Sequence, residues 1–198
     1  ATGATLTIAA SVSVIQWRIA PHLAAFRASW PDRTIRVINT TWPDEYRAPF
    51  ADVEIRYGPT ASVGRDARRL EPDQLIVVAH PNGAIRRRDL SEHTLIQATG
   101  TSDSWARWAA TTGVEIATEP RLLVDSHGLS VDLARRGAGV ALTSSLIAGP
   151  SLADGSLARV DAPETPCVDG YHLALIAPDN PAAAAFAEWM TMAVAATP

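Results

Sequence analysis

The chain has 198 residues, 47% of them hydrophobic, with one cysteine and a formal net charge of −4. That length suffices for one large domain or two small lobes with their own cores, and the composition lies far from the disordered regime. The acidic balance offers no general attraction for phosphate backbones, so any contact with DNA is expected from another segment.

Along the chain, strand and helix patterns alternate. Leu6 to Ala10 is a short apolar run rich in strand formers. A helix is expected next, with Trp17, Leu23, Phe26 and Trp30 at helical spacing, and Pro21 is tolerable only near its first turn. Trp30-Pro31 ends it. Ile35 to Ile38 and Val53 to Tyr57 alternate as strands before the Gly58-Pro59 breaker. Leu75 to Ala79 is a continuous apolar run that suits a strand buried on both faces.

The second half repeats the pattern. Trp105 to Thr112 reads as a helix with Trp105 and Trp108 on one face, stopped by Gly113. Leu122 to Val124, a helix from Asp125-Ser126 to about Arg136 and Val140 to Thr143 form a β-α-β unit, which implies parallel strands and a right-handed crossover. Gly137 and Gly139 end that helix. Tyr171 to Ile176 reads as a strand, and Pro181 opens a last helix carrying Phe186, Trp189 and Met190. The fold class is therefore α/β.

Several functions find no support. No stretch reaches the ~18 to 20 uninterrupted apolar residues of a membrane span. Ala182 to Ala196 comes nearest and is broken by Glu188 and Thr191. Ala1 to Thr5 lacks the basic and apolar regions of an export signal, and residue 1 is not Met, so the chain is expected to be a fragment or a processed product. Cys167 excludes an internal disulfide, which fits a reducing cytosol. The five histidines show no H-x-x-x-H spacing, so no metal is expected. No G-x-G-x-x-G or G-x-x-x-x-G-K-S cradle exists for a nucleotide cofactor. Asp125-Ser126-His127 contains triad residue types, but neighbours at a helix start diverge, and the G-x-S-x-G turn is absent. The chain is not expected to be an enzyme. Arg86-Arg87-Arg88 reads as a solvated surface, and Arg65, Arg68 and Arg69 are interleaved with Asp66 and Glu71.

Open α/β sheets bind ligands at the carboxyl ends of their strands, where helix starts present unpaired amides and a positive dipole end. Ser11-Val12-Ser13 follows the first strand, and Ser126 caps the helix after Leu122 to Val124. Facing each other across a cleft, these hydroxyls and amides could clamp a carboxylate or similar polar group. Plain helix capping accounts for the same serines. Arg56, ending a strand beside Tyr57, could pair a carboxylate bidentately, and an internal salt bridge with Asp52 or Glu54 competes with that role.

Five segments resemble one known family. Pro21-x-Leu23-x-x-Phe26 followed by Pro31-x-x-x-Ile35-x-Val37 resembles the first helix and second strand of LysR-type effector-binding domains. Asp52 to Gly58 resembles the D-x-x-I-R-Y-G segment of the branch holding glycine-cleavage activators and β-lactamase regulators. Trp105 and Trp108 match its paired tryptophans. Asp125-Ser126 with Ala134-x-x-Gly137-x-Gly139-Val140-Ala141, and Ala185-Phe186-x-x-Trp189, resemble its later segments. The matches run in order from about Leu6 to Met190. Two stretches depart from the family: Ala79-His80-Pro81 stands where C-S-P is usual, and the segment around Trp42, Pro43 and Pro49 is its own.

The resemblance implies two lobes with mixed sheets and two hinge crossings, like type 2 periplasmic binding proteins. Lobe I is expected over 1–73 plus 175–198, and lobe II over 74–174. It implies that a winged helix-turn-helix domain, absent from this chain, precedes residue 1 and carries the contact with promoter DNA. It adds Thr99, Gly100 and Thr101, before the Trp105 helix, and Tyr171 to the expected ligand-binding residues, although Tyr171 could equally be a buried ring. The implied protein is a cytoplasmic transcription regulator that senses an amino acid, organic acid or muropeptide-like molecule. It is a homodimer here and a tetramer at full length. A free-standing periplasmic solute-binding protein of the same fold is the alternative.

Overall fold

The computed structural model describes residues 5–40, 51–82 and 87–195. Arg86, the first residue of the arginine run, and the segment around Trp42, Pro43 and Pro49 lie outside the described residues.

Two compact units emerge, dividing at Pro72/Asp73 and at Val168/Asp169. In chain order the first stretch contains β1 (Leu6–Ala10), α1 (Val12–Val14), a π-helical stretch (Ile15–Ile19), α2 (Ala20–Ala28), β2 (Ile35–Asn39), β3 (Val53–Gly58) and β4 (Ala67–Arg69). The second unit opens with β5 (Gln74–Ala79), a 3-10 turn (Arg87–Glu92), β6 (Leu95–Ala98), α3 (Trp105–Thr112) and β7 (Leu122–Val124). It continues through α4 (His127–Arg135), β8 (Val140–Ser144), α5 (Ser145–Ala153), β9 (Ala158–Arg159) and β10 (Thr165–Pro166). The chain then returns to the first unit with β11 (Gly170–Leu175) and α6 (Pro181–Ala195).

Each unit is an α/β structure around a mixed sheet. In the first the strand order is β2-β1-β3-β11-β4. β1 runs parallel to both β2 and β3, whereas β11 is antiparallel to β3 and β4. The expected lobe boundary at 174/175 thus moves to 168/169, because every residue of β11 pairs with β3. In the second unit the order is β10-β5-β8-β6-β7, with β9 also on β5. β6 lies between β7 and β8 and is parallel to both. The β-α-β unit expected from the sequence is therefore present, with one strand inserted between its two.

The helix after β1 starts earlier than its sequence suggests. Helical geometry begins at Val12, which leaves Pro21 well inside the run. Proline there lacks the N–H for the usual bond and its ring crowds the carbonyl four residues back. The π stretch absorbs the conflict: the Ala20 N–H donates to the Ile15 carbonyl, five residues back.

Two glycines at the end of α4 have different causes. Gly137 has φ +76°, and its N–H and that of Ala138 donate to the carbonyls of Ala134 and Leu133, the paired bonds of a Schellman ending. Gly139 is a matter of space. A Cβ there would lie 2.2 Å from the Thr94 carbonyl oxygen, beside the point where Val140 N–H bonds that same oxygen.

The second unit's core gathers Leu75, Val77, Leu95, Val140 and Leu142 from the sheet around Trp105 and Trp108. The two indoles pack edge to face at 5.7 Å and donate to the carbonyls of Ile96 and Pro163, so neither buried N–H is orphaned. In the first unit Phe26 of α2 meets Phe186 and Trp189 of α6 at 5.4 and 5.6 Å. Cys167 is buried as a free thiol.

Candidate functional site

In the first unit the carboxyl ends of β1, β2 and β3 and the amino end of β11 meet at one edge of the sheet, because the first three are parallel and β11 opposes them. Ser11 follows β1 and is the N-cap of the helical run, yet its side chain makes no capping bond. Its Oγ is buried and has no hydrogen-bond partner among the described residues. Thr40 follows β2, next in register after the Ala10–Asn39 pair, and its backbone N–H donates to the Ala10 carbonyl at 3.0 Å. Its Oγ1 is equally buried and without a partner among the described residues. A buried hydroxyl left unsatisfied costs roughly 1 to 3 kcal/mol, so two such groups on adjacent strand ends are not explained by stability. Val12 is 44% exposed, while Ser13 is buried inside the first turn.

At the same edge Tyr57 and Tyr171 are register partners across β3 and β11, with ring centroids 4.8 Å apart. Tyr171 is buried and Tyr57 half-buried. Arg56, next to Tyr57, takes the internal alternative. Its Nε lies 2.7 Å and its Nη2 2.6 Å from one oxygen of Glu54, and its Nη1 donates to the Val63 carbonyl and to Asp66 at 2.7 and 3.0 Å. Burial pushes the Glu54 carboxyl above its ordinary value despite the guanidinium beside it. Burial opposes the Arg56 charge, but its bonds to Glu54 and Asp66 prevail and raise its pKa. Arg56 therefore works as a structural strut of this edge.

In the second unit Thr99, Gly100 and Thr101 form the loop leaving β6, and Ser126 follows the adjacent parallel strand β7. Both the backbone N–H and the hydroxyl of Thr99 donate to the Val124 carbonyl, at 2.7 and 3.0 Å. This draws the loop against the start of α4. Gly100 is exposed with φ +75° and nothing within 4 Å of where its Cβ would be, so backbone is presented openly there. The Thr101 hydroxyl donates to the Asp103 carbonyl. Ser126 caps α4, its Oγ accepting from Leu129 N–H at 3.3 Å. The capping reading of Ser126 is thus present in the structure, and its hydroxyl proton remains available to an acceptor.

The sequence placed ten residues, and the structure brings them to two strand-end edges: Ser11, Val12, Ser13, Arg56, Tyr57 and Tyr171 in the first unit, and Thr99, Gly100, Thr101 and Ser126 in the second. Thr40 was missed. Its position directly after the β2 pattern was the signal that could have found it.

Other chemistry finds no constellation. His127 turns inward, 4% exposed, with Nδ1 3.3 Å from Thr143 Oγ1, while the neighbouring Ser126 hydroxyl is engaged with Leu129. Among the described residues no group of three or more His, Cys, Asp or Glu could hold a metal ion. No helix among them is long and apolar enough to cross a membrane.

Residues 2–195 match the family model for the LysR substrate binding domain. The chain is 30% identical over 177 residues to the HTH-type transcriptional activator AmpR of Rhodobacter capsulatus, covering 86% of this chain and 60% of that protein. It is 26% identical over 184 residues to the glycine cleavage system transcriptional activator homolog of Haemophilus influenzae, covering 89% and 60%. It thus spans about 60% of the length of the curated relatives it matches. Among solved structures, the effector domain of the transcriptional regulator AmpR of Pseudomonas aeruginosa superposes with a TM-score of 0.73 at 26% identity, over 96% of both chains. The AmpR effector binding domain from Citrobacter freundii gives 0.74 at 22% identity, over 96% of this chain and 98% of that one.

Proposed function

The chain belongs to the LysR substrate binding domain family, and we propose that it is the effector-sensing part of a transcription regulator that answers a small polar or anionic molecule. The observation that carries this reading is the pair of buried hydroxyls of Ser11 and Thr40 on neighbouring strand ends, which have no partner among the described residues. A ligand oxygen or nitrogen arriving at that edge supplies the bond each one lacks. Tyr57 and Tyr171 flank the edge with aromatic surface. The Thr99 to Thr101 loop and the start of α4 offer hydroxyls, open backbone and a positive dipole end to an anionic group.

Binding at these edges shifts the populations of the domain's conformations and so biases the regulator's action on its promoter. The DNA contact itself belongs to a winged helix-turn-helix domain preceding residue 1, and the regulator works in the cytoplasm as a homodimer, with tetramers at full length. The relatives are transcription regulators, which favours this reading over a transport solute-binding protein. Reading the gene upstream of Ala1 tests it: a helix-turn-helix pattern is expected, and an export signal there overturns it.

The ligand is tested by calorimetric and thermal-shift screening of amino acids, small organic acids and muropeptide fragments. Hits are expected to lose affinity about tenfold or more in a Ser11→Ala, Thr40→Val, Ser126→Ala variant. Hits that keep full affinity in that variant, or a panel without hits, overturn the assignment. Size-exclusion chromatography with light scattering is expected to return a dimer. A strict monomer at high concentration counts against the proposed assembly.

A further inference from the structure

The second unit carries a cavity of about 270 Å3 whose lining includes none of the ligand-binding residues assigned above. Its floor is apolar: Leu75 and Trp108 are exposed by only 2% and 1%, and Cys167 and Val168 stand beside them. Two opposite charges share its wall, four residues apart where the chain enters α3. Asp103 is buried, with both carboxylate oxygens 3.1 Å from the Val168 N–H. Arg107 is exposed and lines the same cavity, and its guanidinium has no ion-pair or hydrogen-bond partner among the described residues.

An uncommitted guanidinium at the mouth of an apolar pocket is a receptor for a carboxylate. A plain carboxylate, however, adds a second negative charge to a wall that already holds Asp103. A zwitterion does not, since its ammonium meets Asp103 while its carboxylate meets Arg107. The geometry points to a second small-molecule site here, for a small apolar α-amino acid whose side chain lies against Trp108 and Leu75. The site needs neither Ser11 nor Ser126, so it stands or falls separately from the effector site.

The test is an amide-resolved NMR titration of the chain with L-leucine. Saturable shifts are expected at Arg107, Thr111 and Val168, and they persist in the Ser11→Ala, Ser126→Ala variant. Because Arg107 is exposed and unpaired, Arg107→Gln is expected to fold normally and to weaken binding about tenfold or more. Removing either charge from the probe, with 4-methylpentanoate or 3-methylbutylamine, is expected to weaken it similarly. Unchanged affinity in Arg107→Gln, 4-methylpentanoate binding as tightly as leucine, shifts confined to residues 99–101 and 126, or no saturable shift at all each overturn the assignment.

Discussion

Tyr57 and Tyr171 face one another across β3 and β11, their rings 4.8 Å apart at the sheet edge where β1 and β2 also end. The pair joins two tasks, since the rings close the end of the sheet and both are proposed ligand residues. Tyr171→Ala removes a ring that is 3% exposed and is expected to cost about 3 kcal/mol of stability by denaturant titration. Tyr171→Phe keeps the ring, and is expected to leave stability within about 1 kcal/mol while weakening effector binding.

The serines at the two strand ends separate binding from capping. Ser126 caps its helix, so Ser126→Ala is expected to lower stability by about 1 kcal/mol. The Ser11 hydroxyl makes no capping bond and has no partner among the described residues, so Ser11→Ala is expected to be neutral or slightly stabilising. Parallel urea titrations decide this, and equal losses in the two variants would remove the argument that Ser11 is held for a ligand.

At the end of α4, Gly137→Ala is expected to cost about 1 kcal/mol, the strain of a left-handed φ in open space. Gly139→Ala is expected to cost more, about 2 to 3 kcal/mol, because the new methyl meets the Thr94 backbone, which shifts only with β6. Thermal denaturation should rank the two in that order.

Stability is also expected to depend on pH through His172. Its ring is fully buried, with Nδ1 3.0 Å from the Gly170 carbonyl and Nε2 3.2 Å from Thr60 Oγ1. Burial pushes its pKa below the ordinary 6.5, although the Gly170 bond acts the other way. The folded state therefore binds the proton less readily than the unfolded chain. Stability from this group is complete above about pH 6.5 and declines as pH falls through that value toward the lowered one. Melting curves from pH 8 to 5 should show the decline, and His172→Gln should flatten it.

Much of this architecture was legible because long apolar runs between turn residues leave few alternatives: β1, β3, β5, β7 and β8 fall where the pattern puts them. Unlike the equally short but apolar β7, the strands β4, β9 and β10 read Ala-Arg-Arg, Ala-Arg and Thr-Pro and carry no apolar run to leave a pattern. The early start of the helix after β1 was hidden by Pro21, whose accommodation depends on a π stretch that periodicity does not reveal. In the site, serines after strands could be read from position alone. The fate of Arg56 was half visible, since Glu54 and Arg56 share one face of β3 at period two. That Ser11 and Thr40 lack partners is a property of three-dimensional packing, which no spacing carries.

The sheet order of the first unit also sets a sequence of events during synthesis. Among the described strands β4 pairs with β11 alone, and β11 is translated after the whole of the second unit. Residues 73–168 hold every strand of their own sheet in one uninterrupted stretch, so that part can mature on the ribosome while its host still lacks a member. Ribosome-stalled chains in which residue 168 has just cleared the exit tunnel, with β11 still inside it, should thus protect the inserted part from proteases before the flanking one.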